Sequence, residues 1–246
     1  MKRIYIISVV AVLVGIAMSF SRPEEHGKLV ININHYVDDQ VMSLDTVNYV
    51  NNLGQSFSIT KFKYYIGNLS LTRSDGSIYH QDEYYLINEE EPQTKQIVLS
   101  GIPAGVYTKM SFIIGVDSIH NCTGLQEGAL DPINAMFWTW NTGYIFLKLE
   151  GKAQVSRSSG RIFEYHIGGF RQPANSIRTI QLVMNKPLTI TKDGYHSIAM
   201  RANAAEILRT PQNIDFSLLS SVTDAHNAGL IADNYKDMFS LISNDK

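Results

Sequence analysis

Polar and apolar positions alternate from Gly27 onward. In KLVININHYV (Lys28–Val37), Leu29, Ile31, Ile33 and His35 fall on one side, with Val30, Asn32, Asn34 and Tyr36 on the other. A two-residue period sends successive side chains to opposite faces, so this segment predicts a half-buried strand with His35 at the end of its apolar side. Leu44–Val50 reads as a further extended segment. Phe57–Leu71 is rich in β-branched and aromatic residues, and Arg73-Ser74-Asp75-Gly76 after it has strong turn chemistry. With Ser77–Asn88, which carries Tyr79, Tyr84, Tyr85, Leu86 and Ile87, it forms a hairpin. Gln96–Leu99, Tyr107–Val116, Arg161–Phe170, Ser176–Met184 and Leu188–Ile190 predict further strands, and Ser197–Leu208 a short helical turn. The period changes near the C-terminus. Thr223 and Asp224 can cap a helix whose apolar side is Ala228, Ile231, Ala232, Tyr235, Met238, Phe239 and Ile242. Many short strands with turns between them predict an all-β fold: one β-sandwich domain over residues 22–246, with long loops and a short C-terminal helix.

The most unusual stretch is Leu130–Gly151, LDPINAMFWTWNTGYIFLKLEG, which holds both tryptophans. Trp138, Trp140, Thr142, Tyr144 and Phe146 share parity and line one surface unless the Asn141-Thr142-Gly143 break reverses the chain. Two readings are open: an aromatic core, or an indole used chemically or as a binding platform. The long loop before it, Asp117–Ala135, contains Asp117, His120, Cys122, Glu127 and Asp131, which are ligand-capable types without a recognised ligand spacing. His120 and Cys122 suit a soft ion such as Cu(I); the alternative is a loop held by its own hydrogen bonds. His166 shares a strand face with Ile162, Glu164 and Gly168, opposite the larger Phe163, Tyr165 and Ile167.

Composition narrows the function classes. A net charge of -2 over 246 residues gives no electrostatic footprint for nucleic acid. Lys2 and Arg3 precede an apolar run from Ile4 to Met18 and small residues to Ser21, so residues 1–21 read as a secretory signal cleaved after Ser19 or Ser21. The protein is then exported to the periplasm or cell envelope and is not membrane-embedded after cleavage. One cysteine, Cys122, leaves no intramolecular disulfide. No Gly-rich phosphate loop, nucleophile elbow, Cys-x-x-Cys or His-Glu-x-x-His occurs, so the chain does not read as an enzyme.

The runs FIIGVDS (Phe112–Ser118), GLQEGALDPINAMFWTWNTGYIFLKLEG (Gly124–Gly151) and YHIGGF (Tyr165–Phe170) resemble the MbnP family of methanobactin-associated copper-binding proteins, the Bacteroidetes-type members above all. KFKYYIGNLSL (Lys61–Leu71), YYLIN (Tyr84–Asn88) and IPAGVYTKMSF (Ile102–Phe112) extend the resemblance over most of the mature chain. It implies a copper site, Cu(I) or Cu(II), built from histidines of separated strands and a tryptophan oxidised to kynurenine, with a di-haem peroxidase of the MauG type as the oxidising partner. Carried onto this chain, the matching positions are His166 and the tryptophans Trp138 and Trp140, with Trp138 the first choice for modification and His35 the second imidazole. Unlike some related copper binders, this chain has no histidine inside its FWTW run. The rival reading is a non-catalytic envelope binding module in which Trp138, Trp140 and Tyr144 stack on a glycan or protein partner.

Overall fold

The alternation along Lys28–Val37 becomes strand β1 (His26–Val37), with Leu29, Ile31, Ile33 and His35 all buried and the residues between them more open. The computed structural model describes residues 25–124, 126–138, 143–173 and 175–242. The expected signal segment over 1–21 and Trp140 lie outside them. After β1 come the short β2 (Gln40–Val41) and β3 (Tyr49–Val50), then the long β4 (Ser56–Arg73). The hairpin partner of β4 is split into β5 (Ile78–Gln81) and β6 (Tyr85–Asn88), both antiparallel to it, and Gly76, at φ 89°, closes the turn between β4 and β5. Next are β7 (Gln96–Pro103), β8 (Gly105–Ile114), β9 (Phe137–Trp138), β10 (Gly143–Ala153) and β11 (Ile162–Gly168). The last strands are β12 (Arg178–Ile190), β13 (Tyr195–Asn203), β14 (Ser221–Val222) and β15 (Phe239–Ile242).

Two sheets form the sandwich. One has the order β15-β13-β1-β2 with β7 also paired to β1; the larger runs β12-β8-β4-β10-β11-β14, with β3, β5 and β6 on β4 and β9 on β10. The main core lies between them, where Leu29, Ile31 and Ile33 of β1 meet Phe62, Tyr64, Leu147, Leu149, Phe163 and Tyr165 of the larger sheet. A second apolar cluster includes Tyr65, Leu130, Met136, Trp138 and Tyr144. Tyr64 and Tyr65 are consecutive on β4, so they point to opposite faces: the second cluster covers the outer face of the larger sheet. That is why Gly143–Leu149 is buried throughout rather than alternately.

Two small helices decorate the sandwich. Asp117 caps α1 (Ser118–Cys122) by accepting from the His120 N–H at 2.9 Å, and Asp224 caps α2 (Ala225–Tyr235) by accepting from the Asn227 N–H at 3.0 Å. The helical pattern read through Ile242 stops earlier than its spacing suggests. Phe239–Ile242 instead pairs antiparallel with Ala199–Ala202 of β13, which satisfies its backbone at the edge of the smaller sheet. No helix among the described residues is long and apolar enough to cross a membrane.

Candidate functional site

The outer face of the larger sheet is where the tryptophan stretch and YHIGGF meet. The chain reverses between β9 and β10, with Trp138 opposite Gly143 and Phe137 opposite Tyr144, so the Asn141-Thr142-Gly143 break does end the shared parity. The Trp138 side chain is buried, 9% exposed, and its six-membered ring lies against Gly168: a Cβ at that position would stand 2.6 Å from Cζ3 of the indole. Gly168 is the last residue of β11 and shares its face with His166. A glycine is required there because the ring occupies the space any side chain would take.

His166 is half-buried and does not stand alone. Its Nε2 is 2.8 Å from Oε1 of Glu150, and Lys61 Nζ is 3.5 Å from the other carboxylate oxygen. The hydrogen bond from His166 holds the Glu150 carboxyl down at about 2, outweighing burial, which pushes it up, and Lys61 adds to the depression. A carboxylate can only accept, so Nε2 carries a proton, and the neutral tautomer this contact selects is the one with its lone pair on Nδ1. Backing of an imidazole by a carboxylate is the arrangement that orients a histidine toward a metal. Beside it, Lys148 aligns with His166 on one side and Lys63 on the other. Lys148 is buried, burial lowers its ammonium from the ordinary value, and its Nζ donates to the Ala135 carbonyl at 2.6 Å.

His35 is not part of this constellation, and the expectation that it joins His166 beside the indoles is corrected here. The strand row Lys63–Lys148–His166 faces outward, while its neighbours Tyr64, Leu147 and Ile167 face the inter-sheet core. His35 lies on the Tyr64 side. Its Nε2 is 2.8 Å from the Tyr64 hydroxyl and its Nδ1 is 2.6 Å from Glu89, which also accepts from Lys95 at 2.8 Å. Burial lowers the imidazole from its ordinary value against the pull of Glu89. Burial pushes the Glu89 carboxyl up, but the hydrogen bonds from His35 and Lys95 outweigh it and hold the group below the usual range. The consistent assignment is a neutral ring that donates from Nδ1 and accepts the tyrosine proton at Nε2. Both nitrogens are engaged, and the sheet separates them from Trp138.

The loop reading also resolves. Asn121 donates to the carbonyls of Val116 and Asp117 and accepts from the Tyr144 N–H at 3.0 Å. Asp117 holds His120 at Nδ1 and takes a hydrogen bond from Tyr84. Cys122 is exposed and free. No group of three His, Cys, Asp or Glu able to hold a metal occurs among the described residues. The described part of the loop is thus held by hydrogen bonds within itself and to Tyr84 and Tyr144, and its Leu130 packs into the outer cluster. Of the three aromatics read as a stacking platform, Trp138 and Tyr144 are buried, and the Tyr144 hydroxyl donates to the Leu130 carbonyl at 2.8 Å, while Trp140 lies outside the described residues.

The MbnP family model matches residues 26–227. The chain belongs to the MbnP family. The fold agrees with that of MbnP from Methylosinus trichosporium, to which the chain is 12% identical over 82% of each chain with a TM-score of 0.50. No curated protein matches this sequence. Within the MbnP fold, His166 and Trp138, both singled out by the sequence, lie on one outer face, and the structure adds Glu150, Lys148 and the close seat of the indole on Gly168, which the sequence did not single out. A signal for the first two was present. Lys148 and Glu150 alternate with Leu147 and Leu149, which marks them as outward-facing charges on an otherwise apolar strand.

Proposed function

We propose that the protein binds copper on the outer face of its larger sheet, with the His166 Nδ1 as one ligand and Trp138, oxidised to kynurenine, as the source of a second. The observation that carries this reading is the carboxylate-backed imidazole of His166, two residues along the same strand face from the glycine on which Trp138 rests. Imidazole nitrogen suits copper in either oxidation state, and family membership supports the assignment. The described residues fit the ion in part: one oriented imidazole, no competing three-donor cluster, and an indole that is not yet a ligand.

An indole N–H only donates, so Trp138 must change to contribute. Cleavage of the C2–C3 bond with one oxygen added to each carbon, from two equivalents of hydrogen peroxide that leave as two waters, gives N-formylkynurenine, and hydrolytic loss of formate gives kynurenine, whose amino and keto groups have lone pairs. A di-haem peroxidase of the MauG type, consuming hydrogen peroxide, is the oxidant we infer. Export to the periplasm or envelope belongs to the same proposal.

The test is metal analysis of the exported protein made with and without that peroxidase, together with peptide mass spectrometry across Ala135–Lys148. Copper should appear with the modified peptide, vanish in His166→Ala and survive in His35→Ala wherever that variant folds. An unmodified tryptophan pair and no copper after co-expression would refute the reading.

A further inference from the structure

Lys148 sits mid-strand in β10 on the outer face, where an ammonium ordinarily reaches water. Instead it is 8% exposed and its Nζ is spent on the Ala135 carbonyl. Burying an ammonium is unfavourable unless its hydrogen bond does something that an apolar side chain of the same size could not. What the bond holds is a turn. Ala135 is a non-glycine residue in the left-handed region, at φ 56° and ψ 35°, where it closes the short helical turn Pro132–Asn134 with its N–H on the Pro132 carbonyl. One residue on, the Met136 carbonyl accepts from the Ile145 N–H at 2.9 Å. Trp138 follows two residues later. Besides the pairing of β9 with β10, the segment that delivers the indole is thus pinned to β10 at Met136 through backbone and at Ala135 through the Lys148 side chain. The same lysine is the direct cross-strand neighbour of His166.

We propose that Lys148 is a positioning residue for the outer-face site: its bond to the Ala135 carbonyl fixes the left-handed turn from which Trp138 is laid onto Gly168 beside His166. The purpose of this arrangement rests on the copper reading, whereas the geometry is tested without metal. The full chain is compared in a Trp140→Phe background, so that Trp138 is the sole indole emitter. Lys148→Met preserves length and apolar bulk and removes the donor. Its emission should shift to the red and its quenching by acrylamide should rise severalfold, with far-ultraviolet circular dichroism unchanged. Adding Ala135→Gly should then restore much of the protection, because glycine adopts the left-handed turn without needing a clamp.

Unchanged emission and quenching in Lys148→Met would overturn the proposal, as would a loosened Trp138 that Ala135→Gly does not rescue. If Lys148→Met fails to fold, recovery of the fold and of protected emission in the double variant supports the role, and persistent loss overturns it. Copper measurements separate this inference from the one it rests on. A chain that never takes up copper, yet loosens Trp138 in Lys148→Met and regains it in the double variant, sinks the metal reading and leaves the positioning role standing.

Discussion

Gly168→Ala is the sharpest test of the site's architecture, because the structure states where the new methyl would go. It would lie 2.5 Å from the Tyr144 carbonyl oxygen and 2.6 and 2.9 Å from two carbons of the Trp138 ring. Carbon pairs reach their optimum near ~3.5–4.0 Å, so the indole would have to retreat by about 1 Å. The carbonyl has less freedom, since it belongs to the strand that β11 pairs with. Overpacking a filled site costs about 1–3 kcal/mol, and the backbone contact places this substitution at the upper end, about 3 kcal/mol. In urea that is a fall in midpoint of about 1 M, given a slope of about 2–3 kcal/mol/M for a chain of this size. Gly229→Ala is the matched control: it lies inside α2 with nothing within 4 Å of the added carbon, and should stabilise by about 0.5–1 kcal/mol. Trp138 emission should change only in Gly168→Ala. A Gly168→Ala chain that unfolds at the wild-type midpoint with unaltered emission would show that the ring does not rest on that glycine, and the proximity of Trp138 to His166 would go with it.

Other outcomes follow from the same geometry. The Tyr65 hydroxyl is buried without a hydrogen-bond partner among the described residues, so Tyr65→Phe should leave thermal stability unchanged or raise it by about 1 kcal/mol; a loss of that size would reveal a partner. His35→Ala strands Glu89 and the Tyr64 hydroxyl and should cost about 3 kcal/mol in chemical denaturation, with the copper content of the folded fraction unaffected. Because burial lowers His35 below its ordinary 6.5, the unfolded chain takes up a proton that the folded chain resists. The stability it contributes is full above that pH and is lost as pH falls through the folded value. Melting temperatures between acid and neutral pH should trace this slope, and His35→Gln should flatten it. Glu150 works the same way further down, present above its ordinary 4.5 and lost as pH falls toward about 2. Glu150→Gln should therefore cost about 1–2 kcal/mol at neutral pH, a figure kept small by partial exposure, and should weaken copper uptake by replacing the charged acceptor of the His166 N–H with a neutral amide oxygen. Undiminished uptake would remove Glu150 from the site.

Much of the fold was legible because strand faces are written in parity. The burial of Leu29, Ile31, Ile33 and His35 matches the alternation residue for residue, and the Asp224 cap is where the helix begins. Parity assigns a residue to one of two faces but does not say what each face meets. For β1 the apolar side had one destination. For β10 both sides are covered, so the position of Trp138 depended on a hairpin reversal and on strand register, neither of which is local. His35 and His166 were each read correctly as lying on a particular side of their own strands. That these sides belong to different spaces follows only once β4 and β10 stand between them. The missed C-terminal strand has a similar cause: Met238, Phe239 and Ile242 continue a helical spacing, and it was the open edge of β13 that decided otherwise.

On the copper reading, the division of the molecule by its larger sheet explains why the proposed site lies outside the sandwich rather than within it. A metal ligand needs a lone pair that the fold has not already used. Between the sheets, a histidine is tolerated only when both nitrogens are satisfied, and His35 meets that condition with a tyrosine and a carboxylate. On the outer face the constraint is relaxed, since one nitrogen of His166 is held by Glu150 and the ring is only part-buried. An exposed sheet face alone would leave that ring mobile and the indole wet. The loop from Asp117 to Ala135 supplies the missing enclosure, and Asn121, whose oxygen takes the Tyr144 N–H, ties it to the strand carrying Glu150. The described part of the loop is held by hydrogen bonds within itself and by the bond from Tyr144, and on the copper reading that enclosure is what it contributes to the outer face.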